Sequence, residues 1–270
     1  MDEAQSGLTH EFFAAVLDSF KRHAEGRGYD ITFINHNIGH GHSSYLEHCR
    51  YRGVDGVCVV CVNFLDPQVL ELVQSELPVV TVDHMFNNRT SIVSDNVKGV
   101  QTLVNHVFGM GHRNIAFIHG ERTAVTESRC ASLLQDLLQP GAAGARRLCT
   151  RRRLPRLRQL RTHHRRAAGA AAAAHMHLFA PMTCRLWAAS PPSPGRASAC
   201  RKTSPPSVMT ASLSPKVMIP SLTTYHQDTQ AIGYWAADRL VSLIEHPKTT
   251  LPESILIPGS LLEGASVRRI

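Results

Sequence analysis

Between Leu137 and Gln227 the chain has no aspartate and no glutamate, yet these 91 residues carry 15 of its 29 lysines and arginines. The other 179 residues hold 14 basic and 21 acidic side chains. The formal net charge of +8 therefore belongs to one window, and the flanks are mildly acidic. At the acid frequency of those flanks, a run this long without an acid arises by chance about once in 10^5. Either the window is a basic arm that grips nucleic acid, or its codons are read out of frame.

Other absences narrow the class. No run of about 18 apolar residues occurs, so no membrane-spanning helix is expected. The opening stretch, MDEAQSGLTH, is acidic and polar, the wrong composition for a secretory signal. The seven cysteines are odd in number and form no regular framework. A reducing, cytoplasmic setting is therefore the expectation. No G-x-S-x-G, H-E-x-x-H or phosphate-loop pattern is present, so neither an enzyme nor a cofactor is expected.

What is there, outside the window, alternates between two periods. Phe12, Phe13, Val16, Leu17 and Phe20 share one helical face, which stops at Gly26 and Gly28. YDITFIN follows as a short strand candidate, then a helix over 45–52 and the apolar run VDGVCVVCVNF, typical of a strand buried on both sides. A helix over 67–75, the strand PVVTVDH, a helix over 97–109 and the strand NIAFIHG continue the series. Near the C-terminus, TQAIGYWAADRLVSLIEH is an amphipathic helix and ESILIP a strand. Such alternation predicts an α/β fold, a parallel sheet covered on both faces.

Two constellations have chemical alternatives. Cys58 and Cys61 form C-x-x-C, a spacing used for zinc and for redox chemistry. On a strand, however, residues three apart point to opposite faces, which favours buried structural thiols. His36, His40, His42 and His48 could ligate a metal, but no cysteine or carboxylate completes a set at metal spacing. A solvated loop is expected there and no metal site.

The run SDNVKGVQTLVNHVFGMGHRNIAFIHGERTAVTESR resembles the lac-repressor (LacI/GalR-type) family of bacterial transcription regulators. Asp95-Asn96, Gly99, a helix ending in Gly111-His112-Arg113, a strand and then Arg129 follow the spacing of that family's effector-binding core. THEFFAAVLDSFKRHAEGRGYDITFIN is similar to its first helix and second strand, and 219–266 to its last crossover, helix and strand. Relative to that pattern, the helix-turn-helix headpiece and most of the first strand are read as missing.

The resemblance also gives the window a test that uses only the genetic code. One frame over, each residue takes the last base of one codon and the first two of the next. Met182-Thr183 then forces Asp, Trp187-Ala188 forces Gly five positions on, and Met209-Thr210 forces a second Asp. The family pattern here is N-D, Gly five residues on, then G-L-x-V-P-x-D-I-S-x-V-G-Y-D. Codons for Arg196, Ala197, Ala199 and 200–208 permit nearly all of it, and only the position of Pro205 fails. The arginines are therefore expected to be out-of-frame codons of a GC-rich gene, with the frame returning between Leu213 and Val217. A genuine nucleic-acid arm would interleave aromatics for base stacking, and 146–166 has none but histidines.

The resemblance implies a periplasmic-binding-protein-like fold of two doubly wound parallel-sheet lobes. The first is expected over 1–128 plus 224–248. The second is expected over 129–223 plus 249–270, disrupted and irregular across 137–216. It implies a ligand-responsive transcription regulator whose lobes close on a sugar or nucleoside effector and, in intact relatives, signal through a homodimer to headpieces on operator DNA. A solute-binding protein of the same fold and a basic nucleic-acid-binding module are the alternatives. Carried over residue by residue, the effector-binding positions are Phe13, as an aromatic against the ligand, Asp95 in the Asp-Asn motif, and Arg129, as a guanidinium on ligand hydroxyls.

Overall fold

The structure, a computed structural model, describes residues 11–34, 37–38, 41–112, 115–119, 147–149, 176–180, 207–210, 221–267 and 269. The chain divides into two compact units, residues 1–94 with 228–257 and residues 95–227 with 258–270.

In the first unit, α1 (Glu11–Gly26) presents Phe12, Val16, Phe20 and Ala24 at intervals of four, one helical stripe that turns inward. Its chain leaves through Gly28 at φ +83°, a left-handed step that glycine takes without a Cβ clash. The hairpin β1 (Asn37–Ile38) and β2 (Gly41–His42) precedes α2 (Tyr45–Arg52). Ser44 and Glu47 cap α2 reciprocally in a capping box, and Gly53 ends it at φ 61°. Next come β3 (Val57–Val59), α3 (Pro67–Gln74), β4 (Val79–Val82) and β5 (Thr90–Ser94). Asp66 caps α3, and Pro67 takes the first helical position, where no N–H is needed. The unit closes with α5 (Thr229–Glu245) and β11 (Ser254–Ile257).

The four strands lie in the order β11-β5-β4-β3, all parallel. The central strand β4 is buried at every residue, because both faces of the sheet are covered. Alternation assigns its side chains to two cores. Val80 and Val82 join Ile92, Val16, Ile232 and Ala236 on the side of α1 and α5. Val79 joins Val59, Leu46, Val69 and Leu72 on the side of α2 and α3. A fully buried aliphatic such as Ile92 or Ile232 contributes about 1.5–3 kcal/mol over its exposed state.

The second unit holds α4 (Asn96–Gly109), β6 (Ile115–His119), β7 (Arg147–Cys149), β8 (Met176–Ala180), β9 (Ser207–Thr210), β10 (Thr224–His226) and β12 (Ser260–Leu262). Its strands run β12-β10-β9-β8-β6-β7, parallel except where β12 meets β10. The stripe Val100, Leu103, Val104 and Val107 of α4 packs with Tyr225 and Val267.

Four expectations need correction. The run YDITFIN forms no strand over residues 29–34, and Phe33 is 59% exposed. β-branched composition suits a ladder but cannot supply the neighbouring strand that a ladder needs. The domain boundary falls at 94/95 rather than 128/129, so α4 and β6 belong to the second unit. The later crossings lie at 227/228 and 257/258 rather than 223/224 and 248/249. Periodicity locates elements but does not say which sheet each joins. Within 137–216, expected to be irregular, β7, β8 and β9 pair with β6 and with one another. Main-chain pairing needs only a neighbouring strand, and β6 offers one. The rest of that window lies outside the described residues. Finally, His48 is buried in α2 and accepts a hydrogen bond from Arg52 Nε at 3.3 Å, rather than standing in a solvated loop. His36 and His40 lie outside the described residues.

Candidate functional site

Open parallel sheets bind ligands beyond the carboxyl ends of their strands, where loops diverge and main-chain groups are left unpaired. In the first unit these ends are Cys61 after β3, Asp83 after β4 and Ser94 at the end of β5. Asp83 stands at φ 60° and Cys61 at φ 55°, both in the left-handed region that non-glycine residues seldom occupy. Backbone held this way costs on the order of 1 kcal/mol per residue and gathers at functional sites.

Asp83 is held from both sides. Its N–H donates to the Ile92 carbonyl at 2.9 Å, and its Oδ1 accepts from the Ser94 N–H at 3.4 Å and the Ser94 hydroxyl at 3.3 Å. Beside it, Thr81 donates its hydroxyl to the His84 carbonyl at 2.6 Å. The His84 ring stacks on Phe64, centroids 4.4 Å apart and 7° from parallel, and Phe86 lies 4.5 Å from His84 at 59°. Burial depresses the His84 pKa, so the imidazole is neutral at neutral pH. Half-buried aromatic faces beside a carboxylate and a hydroxyl suit a ligand with an apolar side and several hydroxyls.

The C-x-x-C pair belongs to the same edge. β3 ends at Val59, so Cys61 stands in the turn beyond it rather than on the strand where strand alternation was applied. Desolvation pushes the Cys58 thiol up to about 12, with the neighbouring Cys61 adding repulsion, and pushes Cys61 up to about 11, with Asp83 adding repulsion. Both are protonated thiols near neutral pH, neither nucleophiles nor ready metal ligands. Among the described residues no group of three or more His, Cys, Asp or Glu could hold a metal.

Of the three positions carried over from the resemblance, Phe13 sits half-buried in the first turn of α1, in the first unit. Asp95 belongs to the second unit, where its Oδ1 accepts from Lys98 N–H at 3.0 Å and caps α4. Burial raises the phenol of Tyr225 above its usual range, the Gly259 N–H pulls it back, and the nearby Asp95 carboxylate pushes it up again. Arg129 lies outside the described residues. Sequence reasoning missed Asp83, Ser94 and the Phe64–His84–Phe86 group, although an Asp directly after the buried run VVTV was a signal that strand-end logic could have used. In the second unit the C-terminal end of β10 is His226, whose buried Nδ1 makes no hydrogen bond among the described residues.

Sequence comparison decides the family. The model for periplasmic binding proteins and the sugar-binding domain of the LacI family matches residues 4–141. The chain belongs to this family. A second model, for a periplasmic-binding-protein-like domain, matches residues 206–267. No match to a curated protein was found. Among solved structures, the chain is similar to a LacI family regulator from Enterococcus faecium with bound ribose. Identity is 16%, coverage is 97% of this chain and 96% of that one, and the TM-score is 0.74. A periplasmic binding protein/LacI regulator from Alkaliphilus metalliredigens, complexed with D-xylulofuranose, is 20% identical over 95% and 94%, with a TM-score of 0.67. The lac repressor dimer bound to operator and an anti-inducer is 18% identical over 97% and 79%, with a TM-score of 0.71. These likenesses show that LacI-family members share this fold.

Among the described residues no helix is long and apolar enough to cross a membrane.

Proposed function

We propose that the chain is the effector-binding core of a ligand-responsive transcription regulator, and that its effector is a small polyhydroxylated molecule of the sugar or nucleoside class. The observation that carries this is the strand-end edge of the first unit, where Asp83, Ser94 and the Phe64–His84–Phe86 aromatics combine hydroxyl recognition with a stacking surface in a chain of the LacI family. Structures similar to this chain in complex with ribose, D-xylulofuranose and cellobiose support the ligand class. Phe13 and Arg129 are assigned to the ligand, as is Asp95, whose second carboxylate oxygen is not used by the α4 cap. His226 is assigned to it as well, because a buried unpaired nitrogen is costly unless something binds it. Partnership with operator DNA would run through a helix-turn-helix headpiece and a homodimer in a cytoplasmic setting.

The competing reading is a solute-binding protein of the same fold. The DNA immediately upstream of the first codon separates the two. An in-frame helix-turn-helix is the expected result, whereas a secretory leader would replace the regulator reading with the solute-binding one.

A further inference from the structure

The two family models meet neither each other nor the middle of the chain: they match 4–141 and 206–267 and leave 142–205 unmatched. That gap lies wholly inside the acid-free run from Leu137 to Gln227. We infer that the codons from about 142 to about 210, a few residues into the second match, are read one base out of step, and that the neighbouring frame encodes this part of the second unit. The inference holds for a regulator or a solute-binding protein alike, since both use the same core.

The direction of the slip follows from the code. Residues that take the last base of one codon and the first two of the next mark a stretch displaced by the loss of one base. Restoring the original frame downstream requires the gain of one base. The first change falls near the start of the unmatched gap, about 137–142, and the second between 210 and 217. The charge anomaly is explained by the same shift. Asp and Glu codons begin with GA, and a GC-rich stretch read off-frame yields Arg, Ala and Pro, whose codons begin with CG, GC and CC. In the neighbouring frame carboxylates return, forced at Met182-Thr183 and Met209-Thr210 and permitted at Arg201-Lys202 and Lys202-Thr203. No stop codon is forced anywhere in the gap.

The strands of the second unit fit either frame at the level of the main chain. β8 and β9 pair in register, Leu178 with Ser207 and Phe179 with Val208, through groups that every residue but proline carries. In the neighbouring frame the residue at 178 must be Phe, Leu, Ile or Val whatever codon Leu178 uses, because Phe179 begins with TT. β8 therefore keeps an apolar centre there. Position 209, within β9, becomes an aspartate. An acid appears near the carboxyl end of a parallel strand, the edge at which such sheets bind ligands.

Resequencing the gene and its transcript is the first test. The expected result is a neighbouring frame open from 142 to 210 in which Arg196-Ala197-Ser198 spells Gly-Leu and the codons for Pro206 to Thr210 spell Val-Gly-Tyr-Asp. A stop codon in that frame, or third bases that spell other residues at these positions, overturns the inference. The second test compares the present chain with one expressed after adding one base at the first junction and removing one at the second. The restored chain is expected to exchange the amide hydrogens of β8 and β9 at least ~10-fold more slowly. Equal or faster exchange in the restored chain counts against the inference even where the codons fit.

Discussion

The Asp83 carboxylate accepts two hydrogen bonds from Ser94, one from the N–H at 3.4 Å and one from the hydroxyl at 3.3 Å, and so joins the ends of β4 and β5 where a ligand would dock. Its backbone is left-handed at φ 60°. Asp83→Asn keeps both an acceptor and a residue type tolerant of that conformation, so unfolding of the first unit should move by less than about 1 kcal/mol. Asp83→Val puts a β-branched residue at positive φ and removes the acceptor, and should cost about 2–3 kcal/mol. Urea denaturation of the two variants checks the order. If the site binds a polyhydroxylated ligand, Asn should weaken binding while leaving stability nearly intact.

Two glycines in helices should respond with opposite signs. A Cβ added at Gly233 in α5 would collide with the Val16 carbonyl oxygen and lie 2.6 Å from Ser19 Cβ and 2.8 Å from the Phe20 nitrogen. Backbone atoms of α1 cannot swing aside, so Gly233→Ala should destabilise by about 1–3 kcal/mol despite alanine's better helix propensity. At Gly109, the last residue of α4, nothing lies within 4 Å of the added carbon. Gly109→Ala should therefore be neutral or stabilising by up to about 1 kcal/mol. Thermal melts of both variants test the pair.

Alkali should weaken the first unit through its C-x-x-C thiols, of which Cys58 is half-buried and Cys61 stands exposed. Cys58 titrates near 12 and Cys61 near 11 in the fold, against 9.0 for the ordinary group. Because the folded values are raised, the unfolded chain loses its protons first. Stability should hold below pH 9 and decline as pH rises from 9 toward 11–12. Tyr45, raised by burial and by Asp66, adds to the decline above pH 10. In Cys58→Ala the loss across pH 9–10 should be visibly smaller than in the parent. An unchanged slope would show that Cys58 is not the group responsible.

The chain as it stands should bind DNA without reading it. The 15 lysines and arginines between Leu137 and Gln227 offer phosphate contacts, and counterion release makes such binding fall steeply with salt. Gel shifts with unrelated duplexes should show equal, weak affinity at low salt and none at physiological salt. A footprint on one defined sequence at physiological salt would contradict this, because only a recognition element produces it.

Much of the first unit was legible in the sequence because helices and doubly covered strands carry their own periods. The 12-16-20-24 stripe of α1 and the unbroken VVTV of β4 are local patterns imposed by burial on one side or on both. The capping pairs Ser44–Glu47 and Asp66–Pro67 mark helix starts by chemistry confined to one turn. The DN…GHRNIAFI run and the C-terminal crossover made the family readable, and the absence of acids together with the genetic code marked the anomaly at 137–216 without any coordinates. Tertiary structure alone decided the rest. Only the sheet could deny a strand to YDITFIN, because a strand exists through its neighbour. Only the grouping of sheets could place α4 with β10 and β12 rather than with the strands before it in sequence. The left-handed turns at Cys61 and Asp83, and the stacking of His84 on Phe64, come from loops between strands. Their conformation answers to what surrounds them in space, and no period in the chain records it.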